Sequence, residues 1–296
     1  MSKAMDKIVG FCDQYVRIAY NNQTAESIID FLCADLLVTL DSAKTAAPRA
    51  TCEVSVSENE QLFSLHRNGE QLYRGTCQRA LAYALVNEII FQCLDKNESG
   101  LALHAAAVQV DKGGILLPGN SGAGKSTFVA WLTACGCGYL TDELVVLLSE
   151  DSHHIYPFTR PLTIRSASAQ ALAPYVQFKK DEVLTGESGF MVPHRQLNPD
   201  FTPAQPPLSL ILFPRFQAGA SAQLTELTPG IGCSRLMECY VNARNIPGHG
   251  ISELARLTRK VPIMEMTYGS FTDLGTLLAD TLPDFFRDIF SQPPSC

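Results

Sequence analysis

The chain has 296 residues, 46% of them hydrophobic and 18% charged, with a formal net charge of −7. That composition belongs to a folded protein of one large or two smaller domains, and it excludes a disordered or fibrous chain. The acidic balance argues against a broad nucleic-acid footprint, and no apolar run approaches the roughly 18 residues of a membrane span. Ten cysteines occur without a CxxC pair, the closest two being Cys135 and Cys137, and they fit free thiols in a reducing compartment. The N-terminus lacks a long apolar stretch and a small-residue cleavage site, so a cytoplasmic location is expected.

In chain order, YVRIAY (15–20) reads as a strand. TAESIIDFLCADLLVTL (24–40) has helical periodicity, with Thr24 as the expected N-cap and Glu26 and Asp30 close behind. Residues 52–58 and 62–75 alternate as strands, and RNGE at 67–70 supplies a hairpin turn. Residues 78–96 form a long helix with an apolar face, and NESG at 97–100 is the expected domain boundary. This gives a small N-terminal α/β domain over 1–99 and a second domain over 100–296.

Beyond the boundary, residues 102–110 and 115–119 read as two short strands joined by a turn at DKGG. KSTFVAWLTACG (125–136) reads as a helix and YLTDELVVLLS (139–149) as a further strand. HHIYPFTRPLTIR (153–165) contains prolines, which remove ladder donors, so an edge or bent strand is expected. Residues 171–206, rich in Pro, Gly and Ser, are expected to be a long excursion, functional or mobile. A buried strand (207–216), helices (232–243, 250–260), a strand (261–268) and a closing helix (272–290) complete an α/β protein.

Gly119-Asn120-Ser121-Gly122-Ala123-Gly124-Lys125-Ser126 matches G-x-x-x-x-G-K-[ST], with Thr127 next, between a predicted strand and a predicted helix. Its glycines let backbone N–H groups converge on phosphate oxygens, and the helix presents its positive end to the same anion. Lys125 would reach the β- and γ-phosphates of ATP, and the Ser126 hydroxyl would sit on Mg2+. Asp142 and Glu143 lie 17 and 18 residues past Lys125, and His104 lies 21 residues before it. One helix back and one strand forward would bring the acidic pair beside the phosphates.

Taken together, His104, residues 119–127 and the Asp142-Glu143 pair resemble the catalytic domain of the HPr serine kinase/phosphorylase family. That resemblance implies a P-loop kinase domain of the HPr kinase and phosphoenolpyruvate carboxykinase type. It implies that Asp142 is the catalytic base toward a serine, that Lys125 and Ser126 serve nucleotide and Mg2+, and that His104 lies near the phosphate. Glu143 stands where the family has a second aspartate and is the second candidate metal contact. Two departures matter. Ala105 follows His104 in place of glycine, and PFTRPLTIRSASA replaces the family's downstream glycine-rich signature. The first hundred residues do not match the family's usual N-terminal domain.

The chain thus resembles the wider group of HPr-kinase-related proteins. The resemblance implies a serine-bearing protein or peptide as partner and leaves a homo-oligomer open. A kinase of a small metabolite and a non-catalytic ATP-binding regulatory module are the alternatives. Arg160, Arg165 and Arg215 are candidates to clamp the moving phosphoryl group, or else surface ion pairs. Arg244 carries little weight. Residues 181–195 read as a flexible acceptor loop or an exposed insertion, and His153 and His154 as turn residues without metal partners.

Overall fold

The computed structural model describes residues 5–39, 47–57, 59, 61–119, 122–148, 153–200, 202 and 204–290. Met5–Phe11 (β1) and Gln14–Tyr20 (β2) form a hairpin, and its turn residues Cys12 and Asp13 have φ of 49° and 57°. Neither is glycine, so the sequence carries no turn signal here and β1 goes unpredicted. Gln23–Cys33 (α1) is capped by Asn22, whose side chain accepts from the Ala25 N–H; Thr24 lies inside the helix. The helix stops well short of residue 40 because Leu37–Val38 (β3) pairs with Val9 and Ile8 on the edge of β1.

Ala50–Ser57 (β4), Leu62–Arg67 (β5) and Glu70–Gly75 (β6) complete a six-stranded sheet in the order β3-β1-β2-β4-β5-β6. The expected β5–β6 turn forms at Asn68 and Gly69, both at positive φ. Gln78–Leu94 (α2) joins α1 over this sheet: Ile28, Ile29 and Leu32 from α1 and Leu81, Leu85 and Ile89 from α2 share a core with Val16, Ile18 and Val54.

Gly100–Leu103 (β7), Ala105–Val110 (β8) and Gly113–Pro118 (β9) follow, then Lys125–Ala134 (α3), Gly138–Thr141 (β10), Val145–Leu148 (β11), Ile155–Pro157 (β12) and Leu162–Arg165 (β13). Each of three segments read as one strand divides in two: 102–110 at His104, 139–149 at residues 142–144, and 153–165 at residues 158–161. The expected excursion is largely ordered, with Ser166–Leu172 (α4), Leu184–Gly186 (β14) and Gly189–Val192 (β15), and β13, β15 and β14 form an antiparallel sheet in that order. The chain closes with Leu208–Phe216 (β16), Gln223–Glu226 (β17), Pro229–Met237 (α5), Ile251–Lys260 (α6), Ile263–Tyr268 (β18), Phe271–Thr281 (α7) and Pro283–Phe290 (α8). The predicted single closing helix breaks at Leu282 (φ −126°, ψ 58°), because a residue before proline is driven out of the helical region.

The second six-stranded sheet has the order β10-β8-β9-β16-β18-β17, with β9, β16 and β18 parallel. Ala106, Val108, Ile115, Leu117, Leu210 and Leu212 face the core of α3, α7 and α8. Ala105, Ala107, Leu116, Ile211 and Phe213 face that of α5 and α6. Helices on both faces explain why these strands read as unbroken apolar runs. Trp131 of α3 stacks on Phe271 and Phe290, with centroids 4.8 and 5.1 Å away, so aromatic packing fixes the helix behind the glycine-rich loop.

A small sheet, β12-β11-β7, separates two cores. Ala102, Val146 and Tyr156 face the α1/α2 core, whereas Leu101, Val145 and Ile155 face the α5/α6 core. The core of the first hundred residues therefore continues into later ones, including Leu144, Phe158 and Met191. No helix among the described residues is long and apolar enough to cross a membrane.

Candidate active site

The strand splits create the site. β7 pairs with β11 (Leu103 opposite Val145), while β8 pairs with β10 (Ala107 opposite Thr141). His104 and residues 142–144 are thus the two places where the chain passes between sheets, and pairing on either side brings them together at one fork. β9 ends at the same fork, because Pro118 lies opposite Ala105. The glycine-rich loop starts one residue later, at Gly119.

Gly119, Gly122 and Gly124 all have positive φ, at 151°, 91° and 90°. Gly124 is the residue on which α3 begins, and a Cβ there would lie 3.1 Å from the Tyr268 hydroxyl, so glycine answers both a backbone and a space requirement. Lys125 folds back to donate to the Gly119 carbonyl at 2.5 Å. Burial lowers the Lys125 ammonium below its ordinary value, and Cys239, Glu143 and Asp142 offset only part of that. Thr127 donates to the Ser168 hydroxyl of α4 at 2.8 Å. Asn120 and Ser121, named with the motif, lie outside the described residues.

The acidic pair is held by a compact web. The Thr141 hydroxyl accepts from the N–H groups of Glu143 (3.2 Å) and Leu144 (3.4 Å) and donates to the Phe158 carbonyl at 2.8 Å. Thr159 donates to Leu140 O, and the Tyr139 hydroxyl donates to Arg160 O. These bonds press the 158–161 segment against the end of β10. Arg160, only 3% exposed, there reaches Glu143 Oε2 at 2.5 Å and Asp142 Oδ1 at 3.2 Å. Asp142 Oδ2 accepts from the Thr163 N–H at 3.1 Å. His104 Nδ1 lies 3.4 Å from Glu143 Oε1.

These surroundings drive the two carboxyls apart. Burial raises Asp142 above its ordinary value, and Arg160, the Thr163 N–H and Ser126 only moderate the rise. Burial also pushes Glu143 up, but His104 and Arg160 outweigh it and leave this carboxyl at about 2. Asp142 Oδ1 is buried and has the Arg160 ion pair at 3.2 Å but no hydrogen bond of good geometry among the described residues.

His104, Gly122, Gly124, Lys125, Ser126, Thr127, Asp142 and Glu143 line one cavity of about 570 Å3. Gly119 contributes through its bond to Lys125, and Ala123 is not part of the lining. Of the three candidate arginines, Arg160 and Arg165 line the cavity, and Arg215 is exposed at the end of β16 outside it. Arg160 is a buried partner of both carboxylates, which is neither of the two expected roles. Arg244 pairs with Asp95 at 3.0 Å on the surface. The expected flexible loop at 181–195 contains the β14–β15 hairpin, and Ser188 at its tip lines the cavity.

Sequence reading missed Arg79 and Tyr83 of α2, Thr163 of β13, and the ring of Phe216, which is 54% exposed and 5.6 Å from Tyr268. The lining holds three arginines and Lys125 against two carboxylates. An acidic chain thus presents a cationic cavity, which favours an anionic ligand. The described cysteines are all free thiols, including Cys135 and Cys137.

No family model matches the chain, and no curated protein matches it. Among solved structures it is similar to the HPr(Ser) kinase/phosphatase from Coxiella burnetii. That likeness has 14% identity, covers 62% of this chain and 88% of the other, and has a TM-score of 0.31, too slight to carry a functional conclusion.

Proposed function

We propose that the protein is an ATP-dependent kinase of the HPr-kinase-like group, with residues 100–296 as its catalytic domain, and that it passes the γ-phosphoryl group to a serine hydroxyl on a protein or peptide. The observation that carries this reading is that Lys125, Ser126 and the adjacent Asp142 and Glu143 carboxyls line one cavity with Gly122 and Gly124 of the glycine-rich loop, in surroundings that push Asp142 up and Glu143 down. Such a split assigns roles: the raised acid takes and returns a proton, and the lowered one remains an anion.

In this reading the N–H groups of the glycine-rich loop and Lys125 hold the phosphates. The donor set suits a hard cation, with the Ser126 hydroxyl and the Glu143 carboxylate, held below its ordinary range by His104 and Arg160, as the residues that would hold Mg2+. When bound, Mg2+ neutralises charge on the phosphates. Phe216 beside Gly124 offers an aromatic face to the base. Asp142 Oδ1 accepts the serine proton. The serine oxygen bonds to the γ-phosphorus as the bond to the β–γ bridging oxygen breaks, and ADP leaves. Arg160 holds both carboxylates in place and stays out of the transfer itself. His104 orients Glu143.

The test is transfer of label from γ-labelled ATP to serine in acceptor proteins and peptides. Asp142→Asn should slow transfer by about 10²–10⁴-fold, the usual contribution of a general base, with little change in nucleotide affinity. Transfer at the wild-type rate would remove Asp142 from the chemistry. ATP binding without transfer to any acceptor would favour the regulatory module.

A further inference from the structure

We infer that the hydroxyl acceptor carries a carboxylate close to its serine, and that Arg79 and Arg165 bind it; this rests on the kinase reading of the same cavity. Arg79 lies in the first turn of α2, is 7% exposed and lines the cavity. It has no carboxylate within ion-pair reach among the described residues. Its Nη1 donates to Gly189 O at 3.1 Å and to the Ser188 hydroxyl at 3.3 Å, and its guanidinium lies 5.4 Å from the Tyr83 ring. All three partners are neutral. The Nε is buried without any partner. Burying a cation without a counter-charge is costly, so a group maintained in this state points to an anion supplied by a ligand.

The seat is built for this side chain. A Cβ on Gly186 would lie 2.5 Å from Arg79 Cδ and 2.8 Å from Nη1, so any side chain at 186 would displace the arginine. With Nη1 anchored to the hairpin, the Nε–Nη2 edge is left, and that edge matches the two oxygens of a carboxylate. Arg165, exposed on the same cavity at the end of β13, adds a second cation.

Position gives the distance class. The Tyr83 hydroxyl, beside Arg79, donates to Thr163 Oγ1 at 3.1 Å, and the Thr163 N–H donates to Asp142 Oδ2 at 3.1 Å. Two residues therefore separate the unpaired arginine from the proposed base. The phosphates of ATP have Lys125 and the loop to hold them, so Arg79 is left for the acceptor. An acceptor with its hydroxyl at Asp142 and its carboxylate at Arg79 satisfies both ends.

The probes are three short serine peptides. One is amidated with aspartate beside the serine, one has asparagine there, and one ends in serine with a free terminal carboxylate. Binding is measured by calorimetry with and without a non-hydrolysable ATP analogue. The wild type should prefer at least one carboxylate peptide over the asparagine peptide by about 10- to 100-fold, the range of a hydrogen-bonded charge. Which peptide wins tells a side-chain source from a terminal one. Arg79→Gln and Arg79→Lys should both bring that ratio close to one, since lysine lacks the planar edge. Arg165→Gln, at an exposed site, should reduce it several-fold and reads the same preference if the Arg79 variants do not fold. Equal binding of all three peptides, no binding of any, or a preference that survives these substitutions overturns the inference. Nucleotide binding is read separately, so loss of the kinase reading shows as a failure to bind ATP, whatever the peptides do.

Discussion

On the side of the cavity proposed for the nucleotide, Gly119, Gly122, Gly124, Lys125 and Ser126 fall within one loop and the first turn of one helix. On the side proposed for the acceptor, Arg79 and Ser188 meet from 109 positions apart, Tyr83 shares α2 with Arg79, and Thr163 and Arg165 come from one further segment, β13. In the proposed function, phosphates are met by backbone donors whose directions a short glycine pattern fixes. An acceptor is met by side chains that only tertiary packing assembles. Substitutions should therefore separate the two sides, and those at their junction should affect both.

The largest stability effect is expected at the junction. Arg160→Met removes the one guanidinium shared by Asp142 and Glu143 and leaves two carboxyls in a buried place. Breaking a buried pair in this way costs about 3–5 kcal/mol, measurable by urea unfolding. An unchanged midpoint would mean that the fork does not depend on this pair.

Glu143 sets an acid limb. Its folded value of about 2 lies below the ordinary 4.5, so its contacts stabilise the fold above pH 4.5, and that stability is lost as pH falls toward 2. The contribution is on the order of 3 kcal/mol, and Asp142, shifted upward, works in the opposite sense. Glu143→Gln should flatten this limb in urea titrations as pH falls from 4.5 toward 2. In kinetics, the acid limb of kcat/KM should sit above the ordinary aspartate value of 3.8, because the base must be ionised to act.

Phe216→Ala should weaken ATP by about tenfold, as loss of one stacked base costs roughly 1–3 kcal/mol, and leave the carboxylate-peptide preference intact. Tyr83→Phe is its counterpart with the smallest expected effect. It removes only the bond to Thr163 Oγ1. That is about 1 kcal/mol, which should appear in acceptor KM and leave ATP affinity unchanged. Crossed effects, with Phe216 altering peptide preference or Tyr83 altering ATP affinity, would erase the distinction between the two sides.

The same contrast explains what the sequence made legible. The RNGE turn, α2, β16, α3 and the positive-φ glycines at 119, 122 and 124 each follow from a local pattern, and the structure has them in place. The strand splits at His104 and at residues 142–144 were not legible, because both stretches stay apolar on either side of the break and only pairing with different sheets divides them. β1 was missed because Cys12 and Asp13 turn without glycine. Arg160 carried a signal of charge between prolines, but its two partners lie 17 and 18 positions earlier and meet it only through the Thr141 and Thr159 bonds. Arg79 carried no signal at all: a single arginine opening an apolar helix is ordinary until the hairpin around Gly186 closes over it.

The central claim is that the loop ending at Lys125 holds the phosphates of a nucleotide, and the most direct measurement is calorimetric titration of the wild type and Lys125→Ala with ATP and Mg2+. The wild type should bind, and the variant should lose most of that affinity with its circular dichroism unchanged. Equal affinity in the two proteins, or no binding to the wild type, would contradict it.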